Sequence, residues 1–171
     1  KLKIADTKPL NDRDIVLSAV RFRGQDLEHA ASALKSDREI VSAAIKSDYR
    51  AIKFANPRFL ADWGIIFEGV QSSYRILEFS DETFRDDRKI ILEALKNHTA
   101  GMNYASEKLC DDESFILDAI KINITALQQA SYRLRSDQEF MLTAVKLDGA
   151  ALQYDRSDLD QVRVLYSKPL K

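Results

Sequence analysis

The stretch Ser136-Asp137-Gln138-Glu139-Phe140-Met141-Leu142-Thr143-Ala144-Val145-Lys146 has a near copy 25 residues earlier, Asp111-Asp112-Glu113-Ser114-Phe115-Ile116-Leu117-Asp118-Ala119-Ile120-Lys121. The register continues back through the chain, with Asp12, Asp37, Asp62, Asp87, Asp112 and Asp137 at a constant step of 25. Three residues after each aspartate stands Ile15, Ile40, Ile65, Ile90, Phe115 or Phe140, and next to it Val16, Val41, Ile66, Ile91, Ile116 or Met141. A fixed period of this length is the signature of a repeat array, in which each unit buries its apolar face only against its neighbours.

Further columns complete the unit. Small residues recur at Ala19, Ala44, Gly69, Ala94, Ala119 and Ala144, each followed by a large aliphatic. Then come Leu27, Ile52, Leu77, Met102, Leu127 and Leu152, a mostly aromatic column of His29, Phe54, Phe79, Tyr104, Gln129 and Tyr154, and alanine at positions 30, 55, 105 and 130. Leu34, Phe59, Phe84, Leu109, Leu134 and Leu159 close the pattern. Apolar spacing at i, i+1, i+4 and i+5 with no proline predicts a first helix of about three turns in each copy. Asn11, Ser36, Asp86, Asp111 and Ser136 are read as its N-caps, with capping boxes at Ser36/Glu39 and Ser136/Glu139 and the periodic aspartate inside the first turn. A turn and a second, shorter helix carrying the Leu27-type and Ala30-type positions follow.

The expected fold is therefore all-α: an α-solenoid of six tandem 25-residue two-helix repeats with a C-terminal capping helix, one domain over residues 1–171. Repeats start near residues 11, 36, 61, 86, 111 and 136, a partial repeat occupies 1–10, and the cap is placed at 157–168. With layers about 8 to 10 Å apart, such a stack forms a rod on the order of 50 to 60 Å long.

Composition narrows the function. The 26 basic and 27 acidic residues nearly cancel, so no strong overall field draws the chain to phosphate backbones or anionic membranes. The first 60 residues lean positive, with 12 basic against 8 acidic, which is the whole support for a single-stranded nucleic-acid-binding solenoid. One cysteine, Cys110, excludes an intramolecular disulfide and a cysteine zinc site and suits a reducing cytosolic compartment. No apolar run reaches the roughly 20 residues of a membrane span.

The run Leu134 to Tyr154 resembles the repeat known as domain of unknown function 4116, whose pattern is roughly L-x-x-D-x-E-F-V-L-x-A-V-K-x-N-G-x-A-L-x-Y-A. The likeness covers about residues 2 to 160 and is strongest in the last three copies; the third departs from it at Trp63-Gly64. The resemblance implies a helical array without assigned activity, of a kind found in intracellular bacterial pathogens, translocated effectors among them, and in some protists and algae. Host cytosol is the setting it implies for an effector.

Catalytic chemistry finds little footing. His29 sits in a ring column, His98 in a turn column and Cys110 in a linker column, and no glycine-rich phosphate loop, HExxH pair or GxSxG elbow occurs. The periodic aspartates lie one layer apart, too far to share an ion. The chain is expected to be no enzyme and to need no cofactor and no metal. Recognition residues are sought instead where a copy breaks its column. Trp63 stands where other copies have Arg13, Arg38 and Arg88, and Tyr49-Arg50 and Tyr74-Arg75 stand one repeat apart, with Lys53 a helical turn beyond. Trp, Tyr and Arg dominate interface hot spots, so Tyr49, Arg50, Lys53, Trp63, Tyr74 and Arg75 are the expected binding face of a protein-interaction scaffold. The rival expectation is a structural arm or targeting module of a larger enzyme.

Overall fold

A computed structural model describes residues 10–156 as a helical solenoid, with no strand among the described residues. Six ten-residue α-helices repeat in register: Arg13–Phe22, Arg38–Ser47, Trp63–Ser72, Arg88–Asn97, Glu113–Ile122 and Gln138–Leu147. Their apolar columns form one continuous core running from Val16 through Val41, Ile66, Ile91 and Ile116 to Met141. Ile40, Ile65, Ile90 and Phe115 are fully buried, whereas Ile15, with no described repeat before it, is 51% exposed. That column is covered by the preceding layer, so burial here is a property of the stack and not of one repeat.

The second helix of each repeat is a short 3-10 helix, at Gly24–His29, Tyr49–Phe54, Tyr74–Glu78, Thr99–Tyr104, Ile124–Gln129 and Gly149–Tyr154. It carries the buried Leu27, Ile52, Leu77, Met102 and Leu127, but the alanine column lies just past it: Ala30, Ala55, Ala105 and Ala130 are extended residues that end the helix. A third helical turn, at Leu34–Ser36, Pro57–Ala61, Glu82–Asp86, Glu107–Cys110 and Tyr132–Ser136, buries the Leu34-type residue before the next long helix. The two-helix expectation is thus extended by one turn per repeat. Residues 1–9 of the partial repeat and the cap at 157–168 lie outside the described residues.

The capping assignment is corrected by one position. Asp12, Asp37, Asp62, Asp87, Asp112 and Asp137 are themselves the N-caps, with extended backbone, and their Oδ1 atoms accept from first-turn amides such as Glu39 and Ile40 at 2.9 and 3.2 Å. The capping boxes read at Ser36/Glu39 and Ser136/Glu139 are therefore displaced. Three of the residues read as caps serve another purpose: they bind the following repeat. Ser36 Oγ accepts from Asn56, Asp86 accepts from Ser106 and Lys108 at 2.7 Å each, and Asp111 accepts from Ser131 and Arg133.

Two ladders join the layers. In the main chain, the amides of Ala31, Asn56, Asp81, Ser106, Ser131 and Arg156 donate to the carbonyls of Leu10, Lys35, Leu60, Arg85, Cys110 and Arg135 at 2.8–2.9 Å. Because a backbone carbonyl is all that this rung requires, the side chain in the Cys110 column is free to vary. In the second ladder, the residue after each of the first four capping aspartates donates to Oδ2 of the next: Arg13 to Asp37 at 2.9 Å, Arg38 to Asp62 at 2.6 Å, Trp63 to Asp87 at 2.8 Å and Arg88 to Asp112 at 3.2 Å. Each of these aspartates thus divides its oxygens between its own helix and its neighbour.

Candidate functional site

The turn after each long helix and the 3-10 helix that follows it put one residue of every repeat into the same row. In the second and third repeats that row is aromatic and cationic. Asp48 and Ser73 accept from the amides of Arg50 and Arg75 at 2.9 and 3.3 Å, which starts each 3-10 helix and sets the direction of the arginine that follows. Tyr49 reaches across to the next repeat and stacks on Phe79, with centroids 6.1 Å apart and planes 18° from parallel. Arg50 and Arg75 lie against the Tyr49 ring at 5.7 and 5.8 Å, and Lys53 Nζ lies 4.2 Å from the centre of Phe79. Four of the six expected residues, Tyr49, Arg50, Lys53 and Arg75, therefore come together, and Tyr74, the residue before Arg75, continues the row towards the fourth repeat.

Trp63 does not join them. It begins the long helix of the third repeat, whereas Tyr74 follows that helix's far end, about 15 Å away along a ten-residue helix. Its indole nitrogen continues the arginine ladder to Asp87, and its ring stacks on Phe67 at 4.7 Å. The break in the column that suggested recognition is one donor replacing another.

Sequence reading also leaves out neighbours that belong to the strip. Tyr74 makes tilted contacts with His98 at 5.2 Å and Tyr104 at 5.8 Å, carrying the rings into the fourth repeat. Glu78 accepts from Arg75 Nε at 2.8 Å and from the Tyr104 hydroxyl at 3.1 Å. The Arg75 guanidinium holds the Glu78 carboxyl below its ordinary value, and burial, reinforced by Glu78, pushes the Tyr104 hydroxyl up. The usable signal for these residues is the mostly aromatic column itself: Phe79 and Tyr104 are only half-buried, so a ring that packs inward on one side is surface on the other.

Towards the later repeats the strip loses its charges. Thr99, Asn103, Thr125, Gln128 and Gln129 line an open cleft of about 260 Å³, and Gln129 donates to Asn103 at 3.0 Å. Beyond Gln129, which lines both, Cys110 borders an open cleft of about 660 Å³ with Lys108, Asp111 and Ser131; burial raises its thiol, which lowers the thiolate fraction available for attack. Among the described residues no group of three or more His, Cys, Asp or Glu is placed to hold a metal ion, and no helix is long and apolar enough to cross a membrane.

The model of one protein family, Domain of unknown function (DUF4116), matches the chain over residues 12–60, 62–110, 87–135 and 112–154. No curated protein and no solved structure matches it.

Proposed function

The chain belongs to the Domain of unknown function (DUF4116) family, and from its repeat geometry we propose that it is a non-catalytic helical-repeat scaffold that binds another protein through the 3-10 face of its second to fourth repeats. The partner is a host protein if the parent is a translocated effector. One observation carries this reading: Tyr49, Phe79, Tyr74 and Tyr104 form cross-repeat ring contacts at an accessible surface, with Arg50, Lys53 and Arg75 laid along them. The core, caps and ladders account for the other periodic columns, but they do not call for three cations over a row of half-buried rings. Aromatic anchors edged by arginine are the usual composition of a protein-binding hot spot.

Affinity capture from a eukaryotic cell lysate, with the native chain beside a Lys53→Ala, Arg75→Ala variant, tests the reading. Both side chains are exposed, so the variant is expected to keep its helical circular dichroism and to lose the captured protein. A folded variant that retains the same partner removes this face from consideration.

A further inference from the structure

Arg50 and Arg75 are held differently from the arginines that join the repeats. Each uses only Nε: Arg50 on Asp48 Oδ1 at 3.1 Å, Arg75 on Glu78 Oε1 at 2.8 Å. Their terminal nitrogens make no hydrogen bond to any described residue. Arg38, Arg58 and Arg88, in contrast, place terminal nitrogens on Asp62, on the Ser36 carbonyl, and on Asp112, Ser114 and Asp118. Lys53 has no ion pair among the described residues and touches only the Phe79 ring among aromatic groups.

The consequence is a pair of oriented but open forks. The Nε contacts and the Tyr49 ring fix the two guanidinium planes within 6 Å of one aromatic centre. That ordering lowers the side-chain entropy lost when a ligand binds. A guanidinium with both terminal nitrogens free matches a carboxylate by two parallel hydrogen bonds, at shorter distance and greater strength than neutral pairs. Asp48 and Glu78 offset part of the local charge, so the site selects by donor geometry more than by net field.

We propose that Arg50, Lys53 and Arg75 form a carboxylate-binding cradle that seats an acidic, extended segment of the protein partner across the second and third repeats. The inference rests on the reading of this face as a protein-binding surface and names what that surface recognises. A peptide extended in the polyproline II conformation advances about 3.1 Å per residue with three residues per turn, and packed layers stand about 8 to 10 Å apart, so acidic side chains three residues apart share one face and meet Arg50 and Arg75 in turn. Single-stranded nucleic acid fits less well. Base stacking needs open ring faces, and here Tyr49 and Phe79 face each other, Arg50, Arg75 and Lys53 lie over them, and Tyr74 packs on His98 and Tyr104.

Selection of a random dodecapeptide display library on the whole chain, followed by fluorescence anisotropy of the enriched peptides, tests the cradle. Expected are peptides bearing Asp or Glu pairs about three residues apart, each losing about tenfold or more in affinity against an Arg50→Gln, Arg75→Gln variant with unchanged circular dichroism. Enriched peptides without acidic pairs, still lost on Tyr49→Ser substitution, overturn the carboxylate assignment and leave the protein-binding face standing. Failure to enrich any peptide, or tighter binding of a short uridine oligonucleotide than of any peptide, overturns the cradle and counts against the face as well.

Discussion

The indole Nε1 of Trp63 donates to Oδ2 of Asp87 across 2.8 Å, the same acceptor atom that arginines use at Asp37, Asp62 and Asp112. A tryptophan among arginines is therefore a structural rung, and the stability of Trp63 variants should follow the donor, not the ring. Trp63→Arg is expected to stay within about 0.5 kcal/mol of the native chain, because it restores the column. Trp63→Phe keeps a ring to stack on Phe67 but loses the bond, and should cost about 1 kcal/mol in urea unfolding. Partner binding through Arg50 and Arg75 should survive both changes. A Trp63→Phe chain that unfolds at the native midpoint would refute the rung.

The ladder stops at the fifth repeat. Glu113 occupies the donor position facing Asp137, and a carboxylate cannot donate, so two acidic side chains stand where other layers have a donor and an acceptor. Glu113→Arg should complete the rung and raise stability by about 0.5 kcal/mol at low salt, a gain that shrinks as ionic strength rises. Thermal unfolding of the two chains in low and high salt checks both the sign and the salt dependence. Equal stability of the two chains at every salt concentration would show that layer geometry, not donor chemistry, sets this junction.

A feature of this fold is legible in the amino-acid sequence to the extent that it repeats. Core columns recur in every copy because each layer needs the same buried volume, so Ile40, Ile65 and Ile90 stand out by period alone. Side-chain contacts between copies do not, because a rung joins residues 24 apart and its donor changes from Arg38 to Trp63 without breaking the geometry. The caps are ambiguous by one residue because Ser36-Asp37 and Asp86-Asp87 offer two competent capping side chains in succession, and only backbone conformation selects the second. The 3-10 character of the second helix is hidden too, since six residues carry too few apolar positions to separate three residues per turn from 3.6. Of the expected face, the residues singled out by their place in the turn come together, and Trp63, singled out only for breaking a column, does not.

Acid should loosen the layers before it dissolves the core. The Arg13 guanidinium, with the Ile40 and Glu39 amides, holds Asp37 below the ordinary carboxylate value; the Phe115 amide and the Ser114 hydroxyl do the same for Asp112. Burial pushes Asp62 up, but the Ile65 amide and Arg38 outweigh it. A carboxyl depressed in the folded state contributes its full stabilisation above its unfolded value, near 4, and loses it as pH falls through the folded value. Stability is therefore expected to be flat from neutrality to about pH 5 and to decline below about 4. Asp37→Asn retains a capping oxygen but gives up the anion, so it should be less stable at pH 7 and show a shallower acid decline, as read from urea midpoints across pH. A variant with the native slope would remove Asp37 from the linkage.

Within a repeat, the small column of the long helix and the 3-10 residue seven positions on share one space, and the third and fourth repeats divide it differently. A Cβ on Gly69 would lie 2.2 Å from Cδ1 of Ile76, while Ala94 faces Gly101, where a Cβ would lie 2.6 to 2.8 Å from Ala94 atoms. Ala44 with Ala51 and Ala119 with Ala126 are the even division, and all four are buried. Gly69→Ala alone gains helix propensity of about 1 kcal/mol but forces Ile76 aside, for an expected net loss of about 1 kcal/mol. Ile76→Ala alone leaves a cavity and should cost about 2 to 4 kcal/mol. The double variant reproduces the alanine pair of the second and fifth repeats, so it should be more stable than the sum of the single changes by about 1 kcal/mol or more, which a double-mutant cycle in urea measures directly. Additive losses would mean that the two residues pack independently and that the glycine at position 69 answers some need other than room for Ile76.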